Sequence, residues 1–412
     1  MAPVATRRFD AAVTGLGLVT PAGVGVAESW GRVLAGRPTA ERNPALKGLP
    51  VDFSCRVRDF DANDLLGRRK AWRLDRFVQL AMVAAEEALR DAGLDPGTWD
   101  GTRVGVVLGS AVGGTASWEN QYRTLREQGP HKVSPLLIPM LITNMVAGQL
   151  AIEHRALGPN HVVSTACAAA ATAIGTAREL LRSGACDIVI TGGTEACLTP
   201  SIISGFAQMG ALSGRTDDPA AASRPFDVDR DGFVAAEGAG ILVLERPEHA
   251  RARGARIRAR ISGYGASADA HHPTAPDPSG QGVERAMRTA LDDAGLTPGD
   301  IAHVNAHGTS TPLNDAAEAA VLRRVFGDRP VVTSTKGVTG HALGAAGALE
   351  AAFTVLSVEN GVVPPTANLV KQDPELELDV VTGAPRPLAM TAAISDSFGF
   401  GGQNAVLVVT RD

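Results

Sequence analysis

Cysteine is scarce and poorly spaced for work that needs it in pairs: the four in 412 residues, at positions 55, 167, 186 and 197, form no C-x-x-C. That spacing argues against a disulfide framework and a structural zinc site. No apolar run reaches the length of a membrane span, and Arg7 and Arg8 near the start have no long hydrophobic stretch behind them. The chain is therefore expected to be cytoplasmic, neither exported nor inserted. Long basic runs are missing as well, and a formal net charge of −5 provides no field for nucleic acid. The densest basic cluster, Arg68, Arg69, Lys70 and Arg73, reads as a solvated helix face, or as the patch an acidic carrier would have to find. There is also no flexible Ser/Gly or Pro linker to separate independent domains.

What remains is an ordinary globular balance, 44% hydrophobic and 20% charged, tilted by 46 glycines toward close packing. Short Val/Ile/Leu runs bounded by Gly and Pro alternate with longer Ala/Leu-rich amphipathic runs, the pattern of a sheet covered by helices, so the class is α/β. Strands are predicted at 12–14, 103–108, 188–191, 241–244, 302–305, 331–334, 392–395 and 405–409, and helices at 75–92, 168–183, 282–294 and 315–326. Ser164-Thr165-Ala166-Cys167, opening an Ala-rich helix, is echoed by Ser334-Thr335-Lys336, which leads through a Gly-rich turn into another. Two related halves are therefore expected, 1–258 and 259–412, meeting at a basic run (Arg251, Arg253, Arg256, Arg258, Arg260) and packed as one body.

Four segments could carry chemistry. In Val162-Val163-Ser164-Thr165-Ala166-Cys167-Ala168-Ala169-Ala170, a buried strand is expected to give way to a helix at or beside Cys167. Free N–H groups and the helix dipole at such a junction favour a thiolate, the nucleophilic form; a plain buried cysteine is the alternative. His307, in Asn305-Ala306-His307-Gly308-Thr309-Ser310-Thr311-Pro312, stands where open α/β sheets place ligands, with Thr309 and Thr311 free to meet a polar substrate arm. The run Ser334 to Gly347 holds Lys336 and His341 around a small-residue turn, with Glu350 as an ion-pair partner for Lys336. Phe398-Gly399-Phe400-Gly401-Gly402 reads as a movable flap or an N–H donor turn.

Taken together, these segments resemble the elongating β-ketoacyl-[acyl-carrier-protein] synthases of the thiolase superfamily, including the type II fatty-acid and polyketide enzymes. Thr14-Gly15-Leu16-Gly17, Asn144 to Gly148, and Ser223-Arg224-Pro225-Phe226-Asp227 through Gly238 extend the likeness over nearly the whole chain. The resemblance implies a thiolase-like fold of two pseudo-repeated βαβαβαββ halves in a layered α-β-α-β-α body. It implies an acyltransferase that joins a Cys167-bound acyl chain to the carbanion left when malonyl-acyl carrier protein loses carbon dioxide. His307 and His341 would polarise the malonyl thioester, Lys336 with Glu350 would support them, and Phe400 would gate the site and share an oxyanion hole with Cys167. Thr309, Thr311, Val112, Leu136 of the partner-lining segment Ser134 to Pro139, and Phe398 would contact substrate. The partners implied are acyl carrier protein and either a second copy or a chain-length-factor-like subunit, with no cofactor and no metal. The family's Cys-Thr-Ser-Gly or Cys-Ala-Ser-Gly is Cys-Ala-Ala-Ala here, which leaves the subfamily open.

Other readings are weaker. A thiolase would carry a second cysteine in the final Gly-rich loop, where Phe398 to Gly402 stand, and an Asn in place of His341 would mark an initiating synthase. A non-catalytic chain-length subunit would lack Cys167. Asp227, Asp229 and Asp231 begin like a calcium loop, yet Gly238 stands at the twelfth position, where Glu is needed. Gly15-Leu16-Gly17 meets Thr20 where a dinucleotide fingerprint needs Gly. His271-His272 lacks a third metal ligand, and Cys55, Cys186 and Cys197 are expected to be inert.

Overall fold

A computed structural model describes residues 9–412, so the paired arginines at the start lie outside the described residues. Twelve strands form one sheet: β1 Ala11–Thr20, β2 Gly23–Val24, β3 Val104–Gly109, β4 Asn160–Val163, β5 Ile188–Glu195, β6 Gly238–Glu245, β7 Ala259–Ala268, β8 His303–Asn305, β9 Val331–Thr333, β10 Asp379–Val380, β11 Ala392–Gly399 and β12 Gln403–Thr410. The order is β10-β9-β8-β11-β12-β7-β1-β6-β5-β3-β4, with β2 paired to β1. Six helices cover it: α1 Arg76–Asp91, α2 Met145–His154, α3 Ala169–Arg182, α4 Gln281–Ala294, α5 Pro312–Phe326 and α6 Ala346–Asn360.

The layers follow from which strand faces are apolar. α1 and α2 cover one face of the β1-β6-β5-β3 section, α4 and α5 cover the far face of the β8-β11-β12-β7 section, and α3 and α6 fill the space between the sections. This is the α-β-α-β-α arrangement. All eight predicted strands and all four predicted helices occur, most within a few residues of their expected bounds; the first, expected at 12–14, runs on to Thr20.

One expectation needs correction. The strand before Cys167 is not buried: β4 ends the sheet, pairs only with β3, and leaves Asn160 and His161 exposed. Val162 and Val163 are half-buried and point to opposite faces, Val162 against the core under α1 and α2 and Val163 against the central core. The end of the basic run at 251–260 starts β7, and Arg253, Arg256, Arg258 and Arg260 pair with Glu245, Glu359, Asp91 and Asp412.

The Gly15-Leu16-Gly17-Leu18 pattern has a packing cause. Leu16 and Leu18 enter the central core, while Gly15 and Gly17 turn toward α1, where an added Cβ would overlap the carbonyl oxygens of Ala88 and Ala84. Asp91 and Glu87 of α1 accept the Leu16 and Leu18 N–H groups, both at 2.9 Å. Between the sections, Arg178 of α3 is fully buried and ties them: it pairs with Asp293 of α4 at 2.7 Å and donates to the Ile261 and Ser262 carbonyls of β7. No helix among the described residues is long and apolar enough to cross a membrane.

Gly17→Ala forces α1 off β1, and overpacking of this kind costs about 1–3 kcal/mol. The expected outcome is a lower midpoint of urea unfolding with an unchanged slope.

Candidate active site

The parallel strands all end on the same side, and the four chemistry-bearing segments are the loops that leave those ends. After β4 the chain turns sharply at Ala166, a non-glycine residue at φ 48°, passes through a single 3₁₀ turn, Ala166–Ala168, and enters α3 at Ala169. Cys167 thus sits inside that turn, two residues ahead of the helix. The alanines behind it are dictated by space. Gly109 of β3 and Gly193 of β5 abut Ala169 and Ala170, and Gly347 abuts Ala171, all at distances that leave no room for larger side chains. The same turn recurs in the second half: Leu343 at φ 46°, a 3₁₀ turn Leu343–Ala345, then α6, so that Gly344 occupies the place of Cys167.

Cys167 is 8% exposed, and burial pushes its thiol up to about 12. The charge of Lys336 and the backbone N–H of Phe400, which hydrogen-bonds the sulfur, pull the other way without overcoming it. The resting group is therefore a neutral thiol. The helix start was expected to favour thiolate, but enclosure by Ala, Gly and Phe removes more hydration than these groups return.

His307 follows β8 and His341 follows the short helix Lys336–Thr339; their ring centroids are 5.3 Å apart and their planes nearly perpendicular, at 86°. Phe398 packs edge-on against His307 and Phe233 against His341. Both rings are held well below the usual histidine range, by burial first and then by the Lys336 charge, and so are neutral. Lys336 is buried, ion-pairs with Glu350, donates to the His307 carbonyl at 2.6 Å and stands 3.5 Å from His307 Nδ1. An ammonium can only donate, so Nδ1 faces it as acceptor and Nε2 carries the ring proton. Burial raises Glu350 to about 7, and Lys336 opposes that shift.

Cys167, His307, His341, Phe398 and Phe400 open onto one cavity of about 690 Å³, whose wall also includes Val112, Thr309 and Thr311. The two threonine hydroxyls bond each other at 2.9 Å, and Thr311 caps α5. Leu136 does not join this cavity: it starts the surface helix Leu137–Leu141 and is half-buried elsewhere in the same chain. Asp227 is occupied by Arg224 and by the N–H groups of Asp229, Val370 and Lys371.

Three buried carboxyls escaped the reading of the sequence. Glu318 of α5 accepts the N–H groups of His307 and Gly308 at 2.7 and 2.8 Å. Asp396 of β11 is buried with neither oxygen partnered, and burial together with Glu318 and Glu350 holds it well above the carboxylate range. Glu195 ends β5. The available signal was the same for all three: an acidic residue inside an otherwise apolar strand or helix face.

The β-ketoacyl synthase N-terminal domain family matches residues 9–250, and its C-terminal domain family matches residues 258–370. Among curated proteins the chain is similar to 3-oxoacyl-[acyl-carrier-protein] synthase 2 of Synechocystis sp., 46% identical over 97% of each chain. The protein of the same name from Staphylococcus aureus strain MRSA252 is 45% identical over 98% of this chain and 99% of that one. Among solved structures, the ishigamide ketosynthase/chain length factor superposes with a TM-score of 0.93 at 34% identity, covering 98% of this chain and 100% of that one. A type II polyketide ketosynthase bound to the hexaketide, in complex with its acyl-carrier protein, gives 0.91 at 34% with the same coverage.

Glu350→Gln leaves the Lys336 ammonium buried without its counter-charge, and breaking a buried pair in this way costs about 3–5 kcal/mol. The expected result is a loss of that size in the free energy of urea unfolding, larger than for any exposed pair removed as a control.

Proposed function

Since the chain belongs to the β-ketoacyl synthase family, we propose that Cys167, His307 and His341 are the groups through which it performs the decarboxylating condensation of an acyl chain with malonyl-acyl carrier protein. The enzyme is an acyltransferase of type II fatty-acid or polyketide biosynthesis. The observation that carries the assignment is the convergence, on one enclosed cavity, of a thiol touched by a backbone N–H and a pair of neutral imidazoles.

In the first half-reaction the Cys167 sulfur attacks the carbonyl carbon of an acyl carrier thioester. The developing oxyanion is met by the N–H groups of Cys167 and Phe400, the carrier thiol leaves with the proton, and the acyl group stays on sulfur. In the second, the malonyl thioester loses carbon dioxide, and the electron pair of the broken C–C bond becomes an enolate. His307 donates from Nε2 to the enolate oxygen, and His341 supplies the second donor. The work suits imidazoles that burial keeps neutral, since a neutral ring that only donates has no proton to lose irreversibly. The enolate carbon then attacks the Cys167 thioester, the C–S bond breaks, and the thiolate takes a proton from solvent as β-ketoacyl carrier protein departs. Lys336, Glu350 and Glu318 hold His307 from behind, and Val112, Thr309, Thr311 and Phe398 face the acyl and carrier arms.

Acyl carrier protein bearing acyl and malonyl groups is the partner in both steps, and the chain pairs with a second copy or with a chain-length-factor-like subunit. Such pairing supports a role for Leu136, whose segment is open to a partner in the single chain. The reading of two halves, 1–258 and 259–412, is supported by the start of β7 at Ala259, paired with β1. A reducing, cytoplasmic setting fits a mechanism that needs Cys167 as a free thiol.

Cys167→Ala is expected to fold with an unchanged unfolding midpoint and to gain no mass on exposure to acyl carrier protein, whereas the parent gains one acyl group. His307→Ala and His341→Ala should each slow release of carbon dioxide from malonyl carrier protein about a hundredfold or more, while still acquiring the acyl adduct. Release at the parent rate in either variant removes that histidine from the mechanism.

A further inference from the structure

Glu195 is a buried carboxylate whose contacts are all with neutral donors. It is fully buried at the end of β5, and its oxygens accept the N–H of Ala111 at 2.6 Å, the N–H of Val112 at 3.4 Å and the Ser110 hydroxyl at 3.3 Å. The Gly344 N–H reaches the same carboxylate, so close that a Cβ on Gly344 would lie 2.5 Å from Oε2. One side chain therefore ties two loops that also pack directly on each other, the wall after β3 and the turn that follows His341, where a Cβ on Gly344 would lie 2.4 Å from the Ala111 nitrogen. Ser164, three residues before Cys167, holds the same wall from the other side through the Ala111 carbonyl at 3.2 Å. Ala111, Val112 and Leu343 line the cavity, but Glu195 stands behind them and does not. Enclosing a carboxylate without a counter-ion is costly. An apolar residue would fill the space at less cost but would hold neither loop.

We propose that Glu195 is a positioning residue that sets the length of acyl chain accepted beside Cys167, by holding the Ala111–Val112 wall and the Gly344 turn on one carboxylate. This rests on the reading that Cys167 carries the acyl chain in this cavity. A short acyl group occupies only the space next to the sulfur and is indifferent to the wall. A long one must pass Val112, and there a displacement of the loop is felt as weaker binding.

The test compares transfer of acetyl and dodecanoyl groups from acyl carrier protein to Cys167 of the full chain, read by intact mass over time. Glu195→Gln keeps the shape but turns an amide NH2 toward backbone N–H donors. It should raise KM for dodecanoyl transfer about tenfold with little change in kcat, and leave acetyl transfer within about twofold of the parent. Val112→Phe, which narrows the same wall directly, supplies the reference profile. Equal losses for both chains, or none, overturn the proposal. If Glu195→Gln does not fold, Ser164→Ala, an exposed change that frees the same wall, decides by the same criterion: a loss confined to dodecanoyl supports it and an equal or absent effect overturns it. Failure of the parent to take up either acyl group would instead refute the role of Cys167 itself, and the proposal with it.

Discussion

The buried ammonium of Lys336 is the point on which the active site turns. Its Nζ reaches Glu350, the His307 carbonyl and the edge of His307 Nδ1, and its field acts on both histidines and on Cys167. A single positive charge in an enclosed site keeps imidazoles from protonating and at the same time eases removal of a proton from a thiol. Both effects serve the reaction, and neither survives if the charge is solvated. That is why Glu350 must also be buried; a second carboxyl, Glu318, holds the His307-Gly308 backbone in place.

Enclosure of this kind requires backbones to approach closely, and the small residues provide it. The alanines after Cys167 and the glycines of β3, β5 and α6 let the two central helices and the sheet sections meet without gaps. The Cys-Ala-Ala-Ala run is thus a packing solution around Cys167. The cost is a thiol pushed to about 12, so attack depends on groups that act at the moment of reaction and not on a resting thiolate.

The twofold echo in the chain has a geometric counterpart. The turns at Ala166 and Leu343 share a left-handed residue, a 3₁₀ turn and a helix, yet one carries Cys167 and the other Gly344. In the second turn Gly344 stands at the place that Cys167 holds in the first and closely approaches Glu195. His307 and His341 come together from loops 34 residues apart in the chain, counted from their own positions.

By itself the sequence determined the class and most of the main strands and helices, and it singled out Cys167, His307, His341 and Lys336 as candidates. Alternating apolar periods and reactive residues at strand ends are local signals, readable without distances. It did not determine the thiol's resting state, the edge position of β4, the separation of Leu136 from the cavity, or the parts played by Glu195, Glu318 and Asp396. Those are matters of burial and of contact between residues apart in the chain, as with Glu195 and Ala111 or Glu318 and His307. Whether an acidic residue is a solvated surface group or a buried strut depends on which faces the tertiary structure closes over it, because desolvation and not residue type sets the balance.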